Sequence, residues 1–119
     1  MKNIDLAKLN QDILNFVSER DWDQFHSVKN LSMALSVESS ELLEIFQWMK
    51  EEDSNKVKNN PEVMEKVQDE VADIFLYLMR ILHKTEIDLE SAVRNKMKKN
   101  ALKYPASQVK GSSKKYDEY

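Results

Sequence analysis

The stretch NPEVMEKVQDEVADIFLYLMRILHK, residues 60–84, decides the fold. Asn60 followed by Pro61 sets a capping residue before a proline at the first helical position. There the missing N–H costs nothing and the fixed φ suits a helix. From that point Met64, Val67, Val71, Ile74, Phe75, Leu78, Ile81 and Leu82 recur at the three- and four-residue spacing of one helix face. The pattern predicts a helix from Pro61 to about Lys84.

The same period extends outward in both directions. Toward the N-terminus, Ser27 is a capping type, and Leu31, Leu35, Leu42, Ile45, Phe46 and Met49 predict a helix reaching about Glu51. Before it, Ile4, Leu6, Leu9, Ile13, Phe16 and Val17 predict one from about Asp5 to Glu19. The segment Arg20–His26 is rich in aromatics without a clear period and reads as a loop or a single turn. The polar stretch Glu52–Asn60 reads as a connection. Toward the C-terminus, Asp88 can cap a fourth helix carrying Leu89, Val93, Met97 and Tyr104 and stopping at Pro105. Breakers are nearly absent, with one Gly, at 111, and two Pro, at 61 and 105. An all-α fold follows, expected as a four-helix bundle over residues 1–105, with 106–119 as a polar tail.

Composition narrows the function classes. A chain of 119 residues can bury one modest core. With 33% charged and 41% apolar residues it suits amphipathic helices better than disorder. A net charge of −3 argues against a protein that coats a nucleic acid polymer, though not against one phosphorylated ligand held by a metal. The absence of cysteine removes disulfides, thiolate metal sites and thiol nucleophiles. No apolar run resembles a signal peptide or a membrane span, so the expectation is a cytoplasmic protein without a membrane partner.

Within this pattern some carboxylates sit where solvent should not reach. On a helical wheel centred on Leu42, Glu38 lies only about 40° away, and Glu41 about 100° away at the edge of the same face. The third helix repeats the arrangement: Glu70 lies about 100° and Asp73 about 160° from Val71, on one side. Each pair is spaced i, i+3, so its side chains project to neighbouring points. A carboxylate on a core face is costly unless it is paired or bound. Four acids around one volume call for a cation, and all-oxygen ligation without His points to Mg²⁺ or Mn²⁺ rather than zinc. The plainer alternative is a solvated acidic face, which suits Glu44, Glu51 and Glu52 better.

Two other groups stand out. Trp22, Phe25, His26 and Trp48 could stack on a nucleobase, or they could plug the core where the first loop packs. On the fourth helix Lys96 and Asn100 lie within about 60° of Val93, in line with Tyr104. An ammonium, an amide and a phenol on one side could hold phosphates and a sugar. A snorkelling lysine and a backbone-satisfied asparagine explain the same pattern.

Glu38-Ser-Ser-Glu41 followed by Glu70-Val-Ala-Asp73 resembles the ExxE…ExxD signature of MazG-type all-α nucleoside triphosphate pyrophosphohydrolases. Arg20-Asp-Trp-Asp-Gln-Phe-His26, Asn30-Leu31, Phe46-Gln-Trp48, Lys103-Tyr-Pro105 and Ser112-Ser-Lys-Lys-Tyr116 are similar to the compact dCTP pyrophosphatase branch. The likeness spans nearly the whole chain. It implies a helical fold assembled as a dimer of dimers, and Mg²⁺ held by Glu38, Glu41, Glu70 and Asp73. It implies base and sugar contacts from Trp22, His26 and Trp48, and phosphate and sugar contacts from Lys96, Asn100 and Tyr104. The implied reaction is (d)NTP + H₂O → (d)NMP + diphosphate, with a carboxylate of Glu38 or Glu41 as general base. Two readings stand beside it: a relative acting on another phosphorylated substrate such as phosphoribosyl-ATP, and a non-enzymatic helical interaction protein.

Overall fold

The computed structural model of the chain describes residues 1–113. The chain forms α1 (Leu6–Glu19), a 3-10 turn (Asp23–Phe25), α2 (Val28–Phe46), α3 (Glu51–Ser54), a second 3-10 turn (Val57–Asn59), α4 (Pro61–Thr85), α5 (Leu89–Lys103) and α6 (Ala106–Val109). The fold is all-α, and among the described residues it contains no strand. The four helices expected from periodicity are the long ones, with 14, 19, 25 and 15 residues. The chain divides into two compact units, Met1–Thr85 and the residues from Glu86 onward. Among the described residues no helix is long and apolar enough to cross a membrane.

In the first unit the caps act as their residue types dictate. The Asp5 and Ser27 side chains accept hydrogen bonds from the N–H groups of Lys8 and Asn30, each at 3.0 Å. Asn60 Oδ1 accepts from the Val63 N–H at 3.3 Å, so the cap-then-proline start of α4 forms as the sequence dictates. The end of α1 closes by a different device. Asp21 takes the left-handed conformation (φ 51°), while the N–H groups of Asp21 and Trp22 return to the carbonyls of Ser18 and Val17, both at 3.1 Å. This pair of bonds is a Schellman closure, with Asp where Gly is commoner. It folds Trp22 back on α1, where its ring meets Phe16 edge-on with centroids 5.8 Å apart.

The α2 helix is shorter than its periodicity predicts, ending at Phe46 rather than near Glu51. The chain becomes extended at Lys50 (ψ 150°), and Glu51, Glu52 and Asp53 open α3. Charge explains the break. Three acids at the C-terminal end of α2 would face the negative pole of its dipole, whereas at the start of a new helix they face the positive pole.

The α2 helix packs chiefly on α4, and α1 rests more lightly on α4. Among the described residues, Val17, Leu31 and Met79, one each from α1, α2 and α4, are the buried apolar side chains, and Arg80 is buried with them. The second unit is built around α5, capped by Asp88, whose carboxylate accepts from the Ser91 N–H at 3.0 Å. Pro105 ends it, and the short α6 follows. The tail expected over 106–119 thus begins with a helical turn. Its last six positions, and with them Lys114–Tyr116 of the matched Ser112–Tyr116 segment, lie outside the described residues.

Candidate active site

The packing of α2 on α4 brings Glu38 and Glu41 of one acidic pair against Glu70 of the other. One carboxylate oxygen each from Glu38, Glu41 and Glu70 lie within 4.8 Å of one another. Glu38 and Glu70 are half-buried, and each has one oxygen, Oε2, sealed from solvent without a hydrogen-bond partner. Among the described residues, no Lys, Arg or His lies within ion-pair distance of Glu38, Glu41, Glu70 or Asp73. The result is electrostatic strain. The Glu38 carboxyl is pushed up to about 7, first by burial, then by hydrogen bonding with the carboxyls of Glu41 and Glu70 and by repulsion from Glu41 and Asp73. Glu70 is raised too, again with burial as the leading cause, while its bond with Glu38 pulls the other way.

Orphaned buried oxygens among like charges are what a hard divalent cation would satisfy, so the donor set fits such an ion. A solvated acidic face does not describe these residues, because solvent does not reach the two orphaned atoms. Asp73 bears on the Glu38 and Glu70 carboxyls by repulsion and so adds a fourth negative charge to the cluster.

Asp73 also borders a cavity of about 490 Å³ between α1, α4 and the Trp22–His26 segment. Its walls are mostly apolar, from Leu9, Ile13, Phe16, Val17 and Leu76, with Asp12, Trp22, His26, Tyr77 and Arg80 completing them. A space of this size falls within the range of small-molecule sites, roughly 300–1,000 Å³. Tyr77 connects it to the acids. Burial raises its phenol, and the charges of Glu38, Asp73 and Glu41 raise it further.

Arg80 organises the opposite end. Its Nε donates to His26 Nδ1 at 3.2 Å and its Nη2 to Asp23 Oδ1 at 2.8 Å. Lys84 Nζ reaches the same Asp23 oxygen at 2.7 Å. These bonds tie the turn that carries Trp22 and His26 to α4. On its other side, Asn30 Nδ2 donates to the Phe25 carbonyl at 3.0 Å, anchoring the turn to the start of α2.

Of the residues singled out from sequence, then, Glu38, Glu41 and Glu70 meet in one cluster, Asp73 bears on that cluster through its charge, and Trp22 and His26 share one cavity bordered by Asp73. Trp48 is 91% exposed and does not line that cavity, so it plugs no core of its own chain. Lys96 and Asn100 lie four residues apart on α5, and Tyr104 ends it, its N–H bonded to the Asn100 carbonyl at 2.8 Å. They belong to the second unit. Sequence reasoning missed Arg80, Tyr77 and Asp23. The signal for Arg80 was present: it is the lone charge in the run Ile74–Leu82, seven residues from Asp73 and three from Tyr77.

Residues 33–119, which include all four carboxylates, match the MazG-like family. The chain is 39% identical to human dCTP pyrophosphatase 1 over 103 residues, 87% of this chain and 61% of that protein. It is 40% identical to the bovine protein of the same name over 101 residues, 85% and 60% of the two lengths. It therefore spans only about 61% of the length of the curated relatives it matches. A crystal structure of a pyrophosphatase from Archaeoglobus fulgidus superposes with a TM-score of 0.77 at 34% identity, covering 88% of this chain and 96% of that one. On these matches, the chain belongs to the MazG-like family.

Proposed function

We propose that this protein is a nucleoside triphosphate pyrophosphohydrolase, converting a (d)NTP and water to a (d)NMP and diphosphate, with dCTP or a related deoxynucleotide preferred. One observation carries the reading: Asp73, whose charge bears on the Glu38 and Glu70 carboxyls, also lines the wall of an aromatic-edged, mostly apolar cavity. A ligand with a polyanionic end and a flat apolar end matches both features. The dCTP pyrophosphatase name of the relatives supports the choice of nucleotide.

In this reading Glu38, Glu41, Glu70 and Asp73 would hold a divalent cation, Mg²⁺ with Mn²⁺ as the alternative, which would offset phosphate charge during attack. Trp22, His26 and Trp48 hold the base and sugar, fixing the nucleotide so that its α-phosphorus faces water. A carboxylate oxygen of Glu38 or Glu41 takes the proton as water attacks that phosphorus. The new P–O bond forms as the bond from the α-phosphorus to the α–β bridging oxygen breaks, and the bridging oxygen leaves with the diphosphate. For Lys96, Asn100 and Tyr104 we carry forward the phosphate and sugar contacts that the family resemblance implies. Lys96→Ala should then weaken the triphosphate more than the nucleoside. We also expect a homo-oligomer, as the resemblance implies.

A product screen over the common NTPs and dNTPs with Mg²⁺ tests the assignment. The expected products are monophosphate and diphosphate, with dCTP among the best substrates. Release of orthophosphate alone, or no turnover of any nucleotide, would reject it.

A further inference from the structure

Arg80 is 2% exposed, and its Nη1 is buried without a partner. A guanidinium there does more than close a loop. Its Nε–H can be accepted only by an unprotonated ring nitrogen, so His26 Nδ1 carries its lone pair. In a neutral imidazole the single ring hydrogen must then sit on Nε2. Among the described residues Nε2 has no hydrogen-bond partner, and His26 lines the cavity together with Trp22.

We propose that Arg80 is a positioning residue that locks His26 as the neutral Nε2–H tautomer, so that the cavity presents one fixed donor to the acceptor edge of a nucleobase. The inference rests on the nucleotide reading above and deepens it by naming what is recognised. The donor selects a carbonyl oxygen or an unprotonated ring nitrogen, and it disfavours an edge offering only N–H or C–H.

Charge and geometry support the lock. Beside the imidazole stand Arg80 and Lys84, with Asp23 the one anion bonded to them, leaving a surplus positive charge. A second proton on His26 would face that surplus and displace the Arg80 bond. Burial, followed by the Arg80 charge, accordingly holds the ring below its usual range. Geometry separates the two ends of the site. Arg80 lies seven residues beyond Asp73 on α4, about 10 Å along the helix axis. A base read at His26 therefore leaves room for its phosphates to reach the acids.

Two experiments test this on the intact chain. First, ¹⁵N NMR of the imidazoles at neutral pH, without nucleotide, should give His26 the pattern of a single tautomer with the hydrogen on Nε2. Hydrogen on Nδ1, or an averaged mixture of tautomers, would overturn the lock. Because this reads the unmodified protein, it does not depend on whether Arg80 variants fold.

Second, binding of dCTP is compared with that of the 2,4-difluorotoluene deoxynucleoside triphosphate, whose base is a thymine isostere, close to cytosine in outline apart from its methyl group, with no strong acceptor. The expected preference for dCTP is roughly three- to tenfold, the effect of one neutral hydrogen bond. His26→Gln, whose amide N–H can stand near Nε2, should retain it, and His26→Leu should abolish it. Equal binding of the two nucleotides by the unmodified protein, or an undiminished preference in His26→Leu, would overturn the donor assignment. Failure to bind either nucleotide would sink the proposed function and the recognition half of this inference together. The tautomer result would still judge the lock.

Discussion

At the scale of single residues, Glu38 and Trp48 carry the sharpest consequences. The fold raises the Glu38 carboxyl from its ordinary 4.5 to about 7, so the native state favours the protonated form. The associated stability is whole below pH 4.5 and is lost as pH rises through about 7. His26 acts in the opposite sense, since a lowered value penalises the fold only below its ordinary 6.5. Between about pH 6.5 and 8 the acids therefore act without interference from His26. Metal-free protein should melt at a lower temperature at pH 8 than at pH 6.5. Mg²⁺ should raise the melting temperature more at pH 8, because at lower pH it must displace a proton. Glu38→Gln should remove both the pH slope and the magnesium shift, and lower turnover by at least about a hundredfold. A magnesium shift of equal size at both pH values, or near-normal turnover in the variant, would contradict the metal assignment. Trp48 gives the complementary case. An indole that is 91% exposed supports little of its own chain's stability. Trp48→Ala should leave the melting temperature of the dissociated chain nearly unchanged while weakening dCTP binding roughly ten- to a hundredfold, the scale of base stacking. A variant with unimpaired dCTP affinity would remove Trp48 from the site.

At the scale of elements, the turn between α1 and α2 decides where Trp22 and His26 stand. Its closure depends on Asp21 in the left-handed region, which Gly enters freely, Asp tolerates and a β-branched residue resists. Asp21→Val should cost about 1–2 kcal/mol and raise KM for the nucleotide, whereas Asp21→Gly should preserve both stability and KM. Chemical denaturation and steady-state kinetics on the pair check this, and equal behaviour of the two variants would refute it. The same turn shows what could be read in advance. Helices with strong caps and an uninterrupted apolar stripe, such as Pro61–Thr85, were legible because cap chemistry and period agree at every position. The early end of α2 was not, since Met49 continues the stripe while the acids at 51–53 act through a dipole that periodicity ignores. The acid cluster was legible because Glu38 violates an otherwise apolar face. Arg80 violates one just as plainly, but its partners Asp23 and His26 lie 57 and 54 residues away, a distance that no local pattern spans.

At the scale of the whole molecule, the apolar side chains outnumber the places that a single chain offers them. Among the described residues only Val17, Leu31 and Met79 are buried apolar side chains. On α2, Met33, Val37 and Leu43 remain 50%, 55% and 65% exposed. Each fully buried side chain of this kind is worth about 1.5–3 kcal/mol, so a helix presenting several to water gains by meeting a partner surface. A second copy supplies one with no other molecule required, because a two-fold interface uses the same patch on both sides. We therefore expect light scattering at micromolar concentration to report a dimer or tetramer of the 14.0 kDa chain. Val37→Glu should shift the population toward monomer, since each interface would then bury two uncompensated carboxylates. Its helical signal should persist, because Val37 is exposed in the single chain and its removal opens no core. Light scattering and circular dichroism on the same sample separate dissociation from unfolding. A monomer at every micromolar concentration in the unmodified protein would reject the assembly. An intact oligomer in Val37→Glu would exclude this face of α2 from the interface.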